Sequence, residues 1–169
     1  MTSPSLNTLF LPLEQGLIEA RTPILFLGAG WHPYLAGIKE HVQCWQPFFP
    51  HAQVLKNHGM EILDDIPEQG AYGLVLIDLP KQVEEAQFWL AHGLKLCAPD
   101  GMVCACAPND ANGNRIQKWM AELDMETNAE SKNKAKVIWG NRPKSKPVIL
   151  DEWLEYGGIQ GLESAEGTV

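Results

Sequence analysis

Three short stretches hold residues whose types and spacing could do chemistry. In Ile77-Asp78-Leu79-Pro80-Lys81, a carboxylate ends the apolar run Leu74-Val75-Leu76-Ile77. So placed, it could hydrogen-bond or deprotonate an amino group in a cleft. Asp before Leu-Pro is equally a turn or capping residue, and the two readings weigh evenly. In Gly28-Ala29-Gly30, glycines follow the apolar Ile24-Leu25-Phe26-Leu27. Such a turn lets a ligand approach the backbone, and the helix start behind it offers free N–H groups. A lone GxG is weak evidence, and the bulky Trp31 and His32 that follow oppose a cofactor loop. In Cys44-Trp45-Gln46, the second strand should end where nucleoside cofactors meet an acid that binds the ribose diol. Only Gln46 stands there, and an uncharged amide holds a diol less tightly.

Other clusters carry less. His41, Cys44, His51 and His58 are of metal-ligand type, but their spacing matches no compact zinc module, and no metal is assigned. The four cysteines, Cys44, Cys97, Cys104 and Cys106, contain no CxxC pair. Cys104 and Cys106 would share one face of a strand, so reduced, buried thiols are expected. No Ser/His/Asp or Cys/His arrangement has a credible context for nucleophilic catalysis.

The elements that must position these residues follow from periodicity. Leu9, Leu13, Leu17 and Ile18 lie at helix-face spacing within residues 7 to 20, although Pro12 and Gly16 interrupt them. Strands are expected at 24 to 27, 41 to 46, 60 to 63, 71 to 80 and 102 to 107, with helices at 33 to 40, 51 to 57, 84 to 97 and 111 to 123. On the last two helices, Ala86, Trp89, Leu90 and Leu94, then Ile116, Trp119, Met120 and Leu123, form inward faces. Two further strands face each other across a turn at 131 to 134. The fold class is therefore α/β: a three-layer, doubly wound, mostly parallel sheet with a C-terminal antiparallel hairpin, Rossmann-like in outline. Ligands of such sheets bind at the carboxyl ends of the strands, which brings the three stretches together.

The 169 residues divide into an N-terminal helical extension (1–22), the α/β domain (23–150) and a linker-like tail (151–169) with four glycines. A short helix is expected in the tail, from Asp151 to Tyr156. No apolar run approaches the roughly 18 residues of a membrane span. The N-terminus lacks a basic region, and Glu14 interrupts its apolar stretch. Neither a signal peptide nor membrane attachment is expected, and the cytoplasm is the default.

The net charge of −8 argues against a chain coated with basic residues. Between Arg115 and Lys146, however, eight Lys/Arg against four Asp/Glu give +4, which leaves −12 elsewhere. A solvated set of loops would explain this, but it is where a phosphate-bearing partner would bind.

The order of elements, the strand-GAG turn and the final hairpin resemble the class I S-adenosylmethionine-dependent methyltransferases. More narrowly, the chain resembles the N-terminal half of the two-domain small-subunit ribosomal RNA guanine-N2 methyltransferases. The residues that carry this are Ile24-Leu25-Phe26, Gln53-Val54-Leu55, Pro80-Lys81, Glu85-Ala86-Gln87-Phe88, and Pro147 to Tyr156 with Trp153. In that family the C-terminal half is the active enzyme, and the N-terminal half is a degenerate copy that supports folding and RNA recognition. The resemblance implies a methyltransferase-fold domain that is itself silent or weak, acting in rRNA processing beside a C-terminal catalytic methyltransferase domain and ribosomal RNA. S-adenosylmethionine would bind only if the site works, through Gly28, Ala29, Gly30 and Gln46. Asp78 and Pro80 would be what is left of the catalytic motif, whose aromatic residue is here Lys81. Phosphate contacts would come from Lys132, Lys134, Lys136, Arg142, Lys144 and Lys146. An autonomous small methyltransferase and a non-catalytic interaction module are the alternatives.

Overall fold

The computed structural model describes residues 4–156. Its centre is a sheet of seven strands: β1 (Ile24–Leu27), β2 (Val42–Trp45), β3 (Glu61–Leu63), β4 (Tyr72–Asp78), β5 (Cys97–Pro108), β6 (Thr127–Lys132) and β7 (Ala135–Asn141). Their order across the sheet is β3-β2-β1-β4-β5-β7-β6. Strands β1 to β5 pair in parallel, while β7 runs antiparallel to both β5 and β6. This is the expected α/β architecture. The closing hairpin supplies the one reversed strand.

Why these segments form strands is plain in β1 and β4. Each is a short run of branched and aliphatic side chains, and all four residues of β1 are fully buried, as a central parallel strand requires. Alternate residues feed opposite layers. Leu25, Leu27, Val75 and Ile77 face α4 (Val83–Leu96) and α5 (Ile116–Glu122), together with Trp153 from a helix over residues 150–156, here α6. Ile24, Phe26, Leu74 and Leu76 face Leu35, Leu55 of α3 (Phe49–Asn57), and the N-terminal helices α1 (Pro4–Leu9) and α2 (Leu11–Glu14). Cys104 and Cys106 share the second layer, and all four cysteines are free and buried.

Several elements are shorter than periodicity suggests. The expected helix over 33 to 40 is two 3-10 turns, Pro33–Gly37 and Lys39–His41, because proline starts the segment and glycine closes its first turn. The helix expected from Ala111 contains an irregular turn over Asn109–Gly113 before α5 begins at Ile116. The N-terminal helix divides at Phe10, ahead of Pro12, and Leu17 is left 54% exposed. The short helix expected in the tail forms, while residues 157–169 of that tail lie outside the described residues.

Candidate functional site: the carboxyl ends of the strands

Gly28 leaves β1 with φ +70°, a conformation that favours glycine. Its N–H and that of Ala29 both donate to the Trp45 carbonyl, at 2.9 and 3.1 Å, so they extend the β1–β2 ladder and do not point into a cleft. A Cβ at Gly28 would lie 2.5 Å from the Asp78 carbonyl oxygen and 2.6 Å from the indole of Trp89. At Gly30 it would lie 2.9 Å from a methyl of Leu6. A side chain at either position would therefore collide with this chain's own atoms, a backbone carbonyl and an indole at Gly28 and a leucine methyl at Gly30.

Gln46 is committed as well. Its amide nitrogen donates to the Ala29 carbonyl at 2.8 Å, and its oxygen accepts the Phe48 N–H at 2.9 Å. The helix start behind the turn does not present free N–H groups as expected. His32, which is buried, caps the first 3-10 turn by accepting the Tyr34 N–H on Nδ1 at 3.1 Å. Its ring stacks on Phe10 at 4.4 Å, and burial lowers its pKa against the opposing pull of Glu14.

Asp78 ends β4 beneath α1. Its Oδ1 accepts long hydrogen bonds from the Ser5 hydroxyl (3.4 Å) and the Cys106 thiol (3.5 Å). Burial pushes the carboxyl up to about 6, and the two hydrogen bonds pull the other way. Asp78 is thus a carboxylic acid balanced near neutrality, able to hold or release a proton. The turn after it is fixed from below: buried Asn112 donates to the Pro80 carbonyl at 2.8 Å and to that of Lys81 at 3.1 Å. Lys81 itself is exposed.

The structure thus brings Gly28, Ala29, Gly30, Gln46, Asp78 and Pro80 to one end of the sheet, as the three stretches require. It also adds Ser5, Leu6, Trp89 and Asn112, which sequence reasoning did not assign to the site. Trp89 was legible only as an inward helical residue. Nothing in the sequence tied Leu6 to Gly30 or Ser5 to Asp78. The four metal-type residues do not converge: Cys44 is in the core, His58 stacks on Trp31 at 3.8 Å, His51 packs edge-on against Phe48, and His41 lies beside Glu40. Among the described residues no three His, Cys, Asp or Glu side chains form a metal-holding group.

The six basic candidates separate into two sets. Lys132, Lys134 and Lys136 lie at the β6–β7 hairpin, at the carboxyl end of β5, where Lys136 pairs with Ala107. Arg142, Lys144 and Lys146 follow the opposite end of β7, where Asn141 pairs with Met102. At roughly 3.4 Å per residue, about 20 Å of strand separates them.

The two glycines should respond differently to alanine. Gly28→Ala is expected to cost about 2 kcal/mol or more, since it combines positive φ with a clash against backbone and indole. Gly30→Ala should cost less, because the methyl of Leu6 can swing away. Denaturant melts that rank the two the other way would contradict this packing.

A parallel sheet with one reversed strand inserted next to the last, and a glycine turn after its first strand, is the class I S-adenosylmethionine-dependent methyltransferase fold, and this chain has it. The sequence matches no protein-family model, and no curated protein matches it in sequence. Among solved structures it is similar to the T. thermophilus 16S rRNA N2 G1207 methyltransferase RsmC, in complex with AdoMet and guanosine, with TM-score 0.70 and 15% identity. That match covers 86% of this chain and 40% of the other, so the chain spans well under half the length of that enzyme. It is also similar to the ribosomal protein L11 methylase of Lactobacillus delbrueckii subsp. bulgaricus (TM-score 0.64, 11% identity, 84% of this chain and 80% of that one). A third is the TehB-like SAM-dependent methyltransferase of Corynebacterium glutamicum (TM-score 0.58, 12% identity, 78% and 85%). What is shared at these identities is the fold.

Proposed function

We propose that this chain is a methyltransferase-fold domain of a ribosomal RNA guanine-N2 methyltransferase, with a degenerate S-adenosylmethionine site. It would support a catalytic partner domain and take part in RNA recognition. The observation that carries the reading is that the glycine turn and Gln46 are committed to contacts within the chain. Trp89 occupies the space against Gly28, Leu6 that against Gly30, and Gln46 is spent on Ala29 and Phe48. On this reading the residues that would have held S-adenosylmethionine serve packing instead. The fold shared with an rRNA N2 methyltransferase is compatible with that supporting role.

One observation favours an autonomous methyltransferase instead. Asp78 sits at the end of β4 with a carboxyl near neutrality, the place and chemistry for receiving an amino group. Titration calorimetry of S-adenosylmethionine, and separately of S-adenosylhomocysteine, into the purified chain separates the two. No binding is expected. Micromolar binding of either would overturn the degenerate-site reading and favour the autonomous methyltransferase.

A further inference from the structure

At the amino end of the sheet, far from the glycine turn, a cleft of about 230 Å³ opens between the end of α4, the segment leaving β7, and α6. Its floor is apolar: Leu94 and Leu150 are buried, and Leu154 is half-buried. Lys95, Arg142, Lys144 and Lys146 surround it, against a single carboxylate, Asp151. Two of these cations are already engaged: Lys146 pairs with Asp151 at 2.7 Å, and Arg142 donates to the Cys97 carbonyl. Lys95 and Lys144 are exposed and make no hydrogen bond or ion pair among the described residues.

The geometry points to this cleft as a site for one nucleotide of single-stranded RNA, with the base laid on the leucine floor and the flanking phosphates held by Lys95 and Lys144. The inference rests on the RNA-binding part of the proposed function and names the surface that would perform it. Three features favour that occupant. The volume lies below the roughly 300–1,000 Å³ of a pocket that encloses a whole small ligand, yet it suits one planar ring entering from a strand that stays outside. A free phosphate would use the rim and leave the floor uncovered. A strand joins the two requirements, since each nucleotide brings an apolar face and a charge. The hairpin, about 20 Å away along β7, borders a larger pocket of about 430 Å³ with Pro4, Pro108 and Ala135 in its wall, but of its three lysines only Lys134 lines that pocket, and Asp110 stands beside it.

The test compares wild-type chain, Lys95→Gln/Lys144→Gln, Leu154→Ala, and the hairpin variant Lys132→Gln/Lys134→Gln/Lys136→Gln. Each is titrated with a short unstructured oligoribonucleotide at several salt concentrations, after thermal melts show that it folds. The double cleft variant should bind more weakly, and its salt slope should fall by about 1.4, the share of two phosphate contacts on a single strand. Leu154→Ala should weaken binding about tenfold and leave the slope unchanged. A cleft variant that binds like wild type while the hairpin variant loses RNA would overturn the site and leave the RNA reading standing. A lowered slope with no effect of Leu154→Ala would overturn the seated base. Wild-type chain that binds no RNA would overturn the RNA reading, and this inference with it.

Discussion

Trp89→Ala is expected to destabilise the protein by about 3–5 kcal/mol, the range for removing a large aromatic side chain from a core. The indole is only 6% exposed. It meets Trp45 edge-on with centroids 5.2 Å apart and lies against the backbone at Gly28. Glycine cannot refill the space, and the strand end behind it is tied by the Gly28 and Ala29 hydrogen bonds to Trp45. The cavity should therefore persist, and persistent cavities give the largest losses. Denaturant unfolding monitored by far-UV circular dichroism gives the value directly. If Trp89 were loosely held, the loss would stay below about 1 kcal/mol. Trp45→Ala combined with it should cost less than the sum of the two single changes, because the rings share one contact.

Asp78→Asn is expected to stabilise the protein above pH 7. The carboxyl titrates near 6 in the folded chain, above its ordinary 3.8, because burial penalises the charge. The folded state then binds more protons than the unfolded state between those values, so stability falls as pH rises from about 4 to about 6 and stays lowered above. The shift of about two units corresponds to at most about 3 kcal/mol. Asparagine keeps an acceptor for Ser5 and Cys106 and carries no charge. Its advantage should be near zero at pH 3.5 and full at pH 8. Stability profiles of the two proteins that run parallel across pH 4–7 would show that the carboxylate is not buried in solution. A residue that costs stability at neutral pH invites a functional explanation, and the Asp78→Asn variant is also the control for any residual activity.

Much of the fold was legible because its signals are local. Leu74 to Ile77 must be a buried strand, and Ala86, Trp89, Leu90 and Leu94 must face inward from a helix, whatever surrounds them. The hairpin was legible from two short strands about a turn at 131 to 134, although Ser131 and Lys132 belong to β6 and the turn itself is Asn133-Lys134, where both residues take positive φ. The site was legible in part for the same reason: Gly28, Gln46 and Asp78 end neighbouring parallel strands and so must meet. What fills the site was not legible. Ser5 meets Asp78 across 73 positions, and Asn112 meets Pro80 across 32. Contacts of that kind depend on the path of the whole chain, and no periodicity announces them. The end-to-end division of the six basic residues was hidden likewise, since a run close in sequence looks like one patch until the strand between its members is drawn out straight.

The helix α1 carries a consequence for the time course of folding. The Thr8 hydroxyl donates to the carbonyl of Lys132 at 2.9 Å, a separation of 124 positions. At the 5–20 residues per second of protein synthesis, roughly ten seconds pass between the making of the two partners. Throughout that interval Leu6, Leu9 and Phe10, all buried in the finished molecule, have no completed surface to cover. The segment made early is therefore among the last that can settle, and its arrival seals the end of the sheet where Asp78 lies. Refolding experiments should find the environment of Phe10 and His32 maturing after the central strands have paired, in keeping with the cost of closing long loops before distant contacts repay it.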